Sequence, residues 1–284
     1  MKLKTAGETI ELEEFEREWR KTLPKYLLAN GDSNTKLRKS GPEYLTLGLS
    51  LAPHKSLGYG NVCPWASLGC IASCLDHQGL GSVFASIHKG RKLRTELFYS
   101  QRGWFLSKLH DEIGNKLRIA KRAGKTLAIR LNVFSDIKWE YISPRLFADF
   151  PEVEFYDYSK SPTRFGSVLP NYWVTFSRSE DNEADCIRIL RAGGNVAVVF
   201  ADARRPLVGN QAGKQRMPAS WKGFRVIDGN SSDLRFEDER AFTYIPKAFR
   251  KGFVVGLKLK AHSHAEREAA IASGFAVKYR SRKP

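Results

Sequence analysis

The sequence predicts an α/β fold: a (β/α) TIM-like barrel, complete or partial. Three observations carry that expectation. Apolar runs of five to eight residues recur along the chain and alternate with helical segments, the mark of parallel βα units covered on both faces. About seven such strands fit into 284 residues, a length at which single barrels are ordinary. No strand is followed by GxGxxG, which weighs against the dinucleotide-binding form of the alternative, a doubly wound open sheet. No linker or internal repeat interrupts the pattern. One barrel-like domain is therefore expected over residues 43–284, with an N-terminal helical extension over residues 1–42.

In chain order, residues 8–28 read as an amphipathic helix with acidic residues at its start, broken near Pro24. YLTLGLSL (44–51) alternates and reads as the first strand. A glycine- and cysteine-bearing loop follows over 52–81, then a helical stretch over 82–123 divided near Gln101. TLAIRLN (126–132), VEFYDY (153–158), YWVTF (172–176), NVAVVF (195–200), FRVID (224–228) and FVVGLKL (253–259) are the further strands. Helices are expected over 143–150, 182–192 and 264–273, the last two stopped by Gly193-Gly194 and Gly274.

Composition sets the class of partner. The chain is 42% hydrophobic and 27% charged, with a net charge of +17, and such a balance favours an anionic small molecule or nucleic acid. The charge is uneven: residues 89–125 and 246–284 each carry a net +8. No apolar run approaches the ~20 residues of a membrane helix. The start, MKLKTAGETIELEE, lacks the apolar core of a signal peptide. No membrane role is expected, and four clustered cysteines in a reducing cytoplasm point to free or metal-bound thiols rather than disulfides.

The most informative stretch is GYGNVCPWASLGCIASCLDH (58–77). Cys63, Cys70 and Cys74 stand in C-x6-C-x3-C spacing. Three thiolates on a glycine-bearing loop can wrap one soft-metal centre. Structural zinc sites usually show CxxC pairs, and none is present. The wider spacing suits an iron–sulfur cluster, 4Fe-4S or 3Fe-4S, with one iron left open as a Lewis acid. Zinc is the alternative, with His77 as fourth ligand. The plain alternative is that Cys70 and Cys74, four residues apart, only share a buried helix face. Cys186 reads as core packing.

Chemistry in βα folds gathers at the carboxyl ends of strands. Those ends supply Asn132, Ser135, Asp136, Trp139 and Glu140; Tyr156, Tyr158 and Lys160; Ser177 and Arg178; Asp202; Asp228, Gly229, Asp233 and Arg235; and Lys258. Asp136 and Asp228 are candidate bases. Lys160 and Lys258 are candidates to hold an anion or oxyanion. Asn132, Ser135, Glu140, Tyr158 and Ser177 are candidate substrate contacts. A strand-end Asp or Ser more often caps the next helix.

Through NVCPWASLGCIASCL, IRLNVFSDIKWE and YDYSKSPTRF, the chain resembles the phage-encoded gene product 88 family over most of residues 35–260. The resemblance implies a phage or prophage origin and the host cytoplasm as setting. It also groups Cys63, Cys70, Cys74, Asn132, Ser135, Asp136, Trp139, Glu140, Tyr158 and Lys160 into one site. A more distant similarity is to radical S-adenosylmethionine enzymes, which place three cysteines after the first strand of a partial barrel. Their CxxxCxxC spacing is absent. Three functions are open on these grounds: a cluster-dependent hydrolase or lyase, a radical S-adenosylmethionine-like enzyme, and a basic nucleic-acid-binding protein with a structural metal.

Overall fold

The computed structural model describes residues 2–5, 8–11, 23–30, 41–74, 85–204, 206–240 and 251–281. Strands β1 (Lys2–Thr5) and β2 (Glu8–Glu11) form an antiparallel pair, Leu3 opposite Ile10 and Lys4 opposite Thr9. The helix expected from residue 8 therefore does not begin there. The β-branched pair Thr9-Ile10 finds a strand partner, and cross-strand pairing outweighs the acidic helix-start pattern. Residues 12–22 of that expected helix lie outside the described residues.

Among the described residues the other eleven strands form one sheet: β3 (Leu28–Asn30), β4 (Tyr44–Leu49), β5 (Thr126–Arg130), β6 (Glu154–Ser159), β7 (Gly166–Leu169), β8 (Tyr172–Ser177), β9 (Val196–Asp202), β10 (Ser220–Trp221), β11 (Phe224–Asp228), β12 (Val254–Lys258) and β13 (Val277–Tyr279). Their order is β10-β11-β12-β9-β8-β6-β5-β4-β3, with β13 beside β9 and β7 beside β8. The run from β4 to β11 is parallel throughout.

This sheet corrects the barrel expectation. Strand order follows chain order from β4 through β9, as in a barrel, and then breaks: β12 occupies the place beside β9, and β11 lies outside it. The edges carry antiparallel strands, β3 on β4 and β10 on β11, and they do not pair with each other among the described residues. Apolar periodicity specifies that a strand exists and is covered on both faces. It does not specify its neighbour, so a closed and an open arrangement have the same signature in sequence.

The helices are α1 (Leu68–Ala72), α2 (Ala85–Ser100), α3 (Arg102–Arg122), α4 (Trp139–Ile142), α5 (Arg145–Ala148), α6 (Glu183–Arg191), α7 (Arg235–Arg240) and α8 (His264–Ala272). Phe105, Leu109 and Ile113 form the buried stripe of α3, packed against Leu47, Leu49, Leu127 and Ile129 of β4 and β5. Each such side chain contributes about 1.5–3 kcal/mol by leaving water. Helix α3 ends with Lys121 and Arg122 at its negative pole, and Lys125 N bonds Ala120 O across Gly124. On α6, Cys186, Ile189 and Leu190 pack against Phe176, Val196 and Val198, so Cys186 is core.

The opposite sheet face carries Ala128 and Arg130, Tyr156 and Tyr158, Ala197 and Val199, and Val255 and Leu257, placed together by the two-residue strand period and the parallel register. Leu234 and Phe236 cover Ala128 and Tyr156. Beyond them, at the carboxyl ends of the strands, this face opens into a cleft. No helix among the described residues is long and apolar enough to cross a membrane.

Candidate functional site

The cleft has a volume of about 400 Å³. Its walls come from the loop after β4, from the ends of β5, β6 and β8, and from the loops after β11 and β12. That position, outside the carboxyl ends of parallel strands, is where open α/β sheets bind ligands.

Cys63, Cys70 and Cys74 together line one wall. Cys63 lies in the loop, Cys70 in α1 and Cys74 just beyond it. The Cys63 sulfur accepts the His54 amide and, as a thiol, donates to Phe134 O, both at 3.3 Å. Burial pushes the Cys63 thiol up to about 12, with Cys74 and Cys70 among the smaller contributors. Ser67 caps α1 by accepting from Cys70 N at 3.2 Å. Glu180, from the loop after β8, clamps the same turn: its carboxylate accepts Gly69 N at 2.7 Å and Ser67 Oγ at 2.8 Å. A Cβ on Gly69 would stand 2.8 Å from that carboxylate, so glycine is what admits the clamp. Among the described residues no group of three or more His, Cys, Asp or Glu side chains is placed to hold a metal ion; the sulfurs form a wall, not a closed shell. His77 lies outside the described residues.

The loop after β5 joins that wall to the sheet. Asp136 N donates to Val62 O at 2.8 Å, next to Cys63. Asn132 Oδ1 accepts from Ser135 Oγ, Ile137 N and Trp139 Nε1, while its amide donates to Ile137 O and Asp157. Asp157, fully buried, accepts Asn132 N at 2.7 Å and Tyr172 OH at 2.8 Å, and burial raises it to about 7. Asp136 accepts Ser159 Oγ at 2.6 Å and Lys160 N at 2.8 Å, with Arg164 at 3.4 Å. Burial raises its pKa against the pull of those donors. Arg164 closes the network on Glu140 in a two-pronged pair at 2.6 and 2.8 Å.

The rest of the lining is basic and partly apolar. The Arg130 guanidinium pairs with Asp233 at 3.0 Å and lies 4.7 Å over the Tyr158 ring. Tyr158 OH and Arg130 Nε are buried without a hydrogen-bond partner among the described residues. Burial pushes the Tyr158 phenol up to about 12. Lys160 Nζ reaches Ser177 Oγ at 3.4 Å and lies 5.9 Å from the Phe275 ring. Asp228 is exposed and 3.7 Å from Lys258 Nζ. Its partial burial is outweighed by hydrogen bonds from Asn230 and by Lys258, which hold it below the usual carboxylate range. Val199, Leu257 and Leu259 complete the lining.

The residues named from the sequence as candidate bases, anion holders, substrate contacts and metal ligands line this cleft, except Glu140, which is turned into its ion pair with Arg164; of the other strand-end residues Gly229 and Asp233 line it, and Trp139, Tyr156, Arg178, Asp202 and Arg235 do not. Asn132 and Asp136 have their polar atoms engaged by the scaffold. Asp228, a candidate base, is exposed, and Asn230 and Lys258 hold it below the usual carboxylate range. Trp139 and Arg178 are buried; Arg178 donates to the carbonyls of Gly274 and Phe275. Arg130, Asp157 and Arg164 were missed; a charge inside the apolar runs TLAIRLN and VEFYDY was the available signal for the first two. Glu180 had none, because its role depends on a contact 111 residues away.

The family described as Gene product 88 matches residues 26–278, a span that takes in every residue of the cleft. The chain belongs to the phage gene product 88 family. In this family member the matched region also holds every strand from β3 through β12. No curated protein and no solved structure was found to match the chain.

Proposed function

We propose that Cys63, Cys70 and Cys74 would hold an iron–sulfur cluster with one iron left without a thiolate, and that the chain is an enzyme acting on an anionic small molecule bound in the same cleft. The observation that carries this reading is that three thiols from one twelve-residue stretch share a wall of the same cleft as Lys160, Lys258 and Ser177. The donor set is soft, as iron–sulfur ligation requires. Its C-x6-C-x3-C spacing, without a CxxC pair, fits a cluster with several metal corners better than one zinc ion. The cleft volume lies in the roughly 300–1,000 Å³ range of small-molecule sites.

When bound, an open-iron cluster supplies a Lewis acid, and it can also pass an electron. The chain supplies the rest. Lys160, steadied by Ser177, presents a cation to the ligand's acidic group. Val199, Leu257, Leu259 and Phe275 keep water from its apolar part. Asp228, held ionised, can orient a donor but is a weak base, and Asp136 is spent on Ser159, Lys160 N and Arg164. This shortage of a free base favours a second reading over hydrolysis: an enzyme that binds S-adenosylmethionine at the open iron. The sulfur loop follows the first of the consecutive parallel strands, as that reading requires.

The test is anaerobic purification with iron, sulfide and zinc quantified. The wild type is expected to carry about four irons and four sulfides per chain, and each of Cys63→Ala, Cys70→Ala and Cys74→Ala to lose most of both. Zinc without sulfide, or metal content indifferent to all three substitutions, ends the cluster reading. Cofactor cleavage by the dithionite-reduced protein separates the second reading from the first.

A further inference from the structure

A second pocket lies apart from the cysteines, lined by Ala203, Arg204, Pro206, Arg267, Glu268, Lys278 and Arg280. Four of its seven lining residues are cationic and one is acidic. The acid, Glu268, is taken up by Arg267. Arg204, Lys278 and Arg280 are exposed and have no carboxylate partner among the described residues. Three uncompensated cations around one pocket repel each other, so the arrangement lowers stability unless an anion is shared among them.

The backbone that carries them is braced. Lys278 lies in β13 and Arg280 just beyond its end, and both line the pocket. Strand β13 pairs with the end of β9, Tyr279 opposite Asp202, and Ala203 N bonds Tyr279 O at 2.8 Å. Asp202, fully buried, accepts the amides of Arg204 at 2.9 Å and Ser281 at 3.2 Å. Arg267 reaches over from α8, its side chain only 4% exposed, and donates to Asp202 O at 2.7 Å. The backbone that bears the cations is thus braced before any ligand arrives, which reduces the part of the ordering cost that falls on the chain.

We infer that this pocket binds the phosphodiester backbone of nucleic acid. The pocket's chemistry selects phosphate over an apolar ligand. The whole-chain charge of +17, with a net +8 over residues 246–284, selects a polyanion over a lone phosphate, because a long-range field acts on many charges at once. The inference is independent of the cysteine cleft and stands whether or not a cluster is bound there.

The test uses the full chain and a fluorescein-labelled single-stranded DNA 20-mer in a salt titration. Each phosphate contact contributes about 0.7 to the slope of log affinity against log salt for single strands. The triple variant Arg204→Glu/Lys278→Glu/Arg280→Glu is expected to lower that slope by about 2. Lys278→Gln and Arg280→Gln, with melting curves matching wild type, are each expected to lower it by about 0.7. The control reverses Lys92, Arg122 and Lys125, exposed residues of the other +8 segment, and leaves the slope near wild type. The inference is overturned if the wild type does not bind the DNA, if the control lowers the slope as much as the triple variant, or if inorganic tripolyphosphate binds at the pocket while DNA does not.

Discussion

Glu180 is the residue through which the stability of the sulfur wall can be measured. Its carboxylate receives two hydrogen bonds from the first turn of α1, at 2.7 and 2.8 Å. A hydrogen bond to a charged group is worth about 1.5–3 kcal/mol when buried. Glu180 is half-buried, so roughly 1 kcal/mol each is the fair figure after screening. Glu180→Ala should then open α1 locally by about 2 kcal/mol, or about 30-fold in population. Amide hydrogen exchange reads this at Ile71 and Ser73, whose amides bond Ser67 O and Gly69 O in that turn. Gly69→Ala tests the same clamp from the other side. Its Cβ would push the flexible end of Glu180 away and lose the same bonds, while alanine returns about 1 kcal/mol of helix propensity. The net is about 1 kcal/mol of destabilisation in wild type. In the Glu180→Ala background only the propensity term remains, and Gly69→Ala should stabilise α1 by about 1 kcal/mol. A Gly69→Ala effect of the same sign and size in both backgrounds refutes the clamp.

Arg164→Met leaves Glu140 and Asp136 buried without their cation and should cost about 3–5 kcal/mol at pH 7, measured by urea denaturation; a loss under 1 kcal/mol would show the network to be dispensable. Asp157, raised to about 7 by burial, binds its proton more tightly folded than unfolded. Its contribution is present at about pH 4 and is lost as pH rises toward 7. The stability of wild type relative to Asp157→Asn should therefore fall between pH 4.5 and 7.5, and a flat difference contradicts the shift. Arg130→Met should destabilise by about 3–5 kcal/mol by stranding Asp233, and the double variant Arg130→Met/Asp233→Asn should recover much of that loss; equal melting temperatures of single and double variants would exclude the pair.

The lining of the cleft was more legible in the sequence than the strand order was. Cys63, Cys70 and Cys74 announced themselves by spacing. Asn132, Asp136, Lys160, Ser177, Asp228 and Lys258 were found because a polar residue after an apolar strand marks the carboxyl end, and in parallel sheets those ends lie on one side. That inference needs only strand direction. The barrel needed strand order, which turns on whether the chain places β12 inside or outside β11, and no local pattern records that choice. The first strands were lost for a related reason: Glu8 to Glu11 satisfies a helix-start pattern, and only its pairing with residues 2–5 decides otherwise. Asp157 was hidden inside VEFYDY, where the two-residue period turns it to the helix side, away from Tyr156 and Tyr158.

The roles of the strand-end polar residues divide on a physical criterion, whether their hydrogen-bonding capacity is already used. Asn132 spends its side chain on Ser135, Ile137, Trp139 and Asp157, and Asp136 spends its own on Ser159, Lys160 N and Arg164. A group so engaged cannot take up a ligand without giving up a bond in a buried place, at a cost of about 1–3 kcal/mol. What these residues do instead is fix the loop after β5, and that loop holds Cys63 through Phe134 O and Val62 through Asp136 N. The polar residues nearest the sulfurs are therefore the frame of the sulfur wall. The residues that retain capacity, Lys160, Ser177, Tyr158 and Arg130 Nε, line the same cleft. Under the proposed cluster reading this division predicts different phenotypes: substitutions at Asn132 or Asp136 lower metal content, whereas Lys160→Ala keeps it and weakens ligand binding.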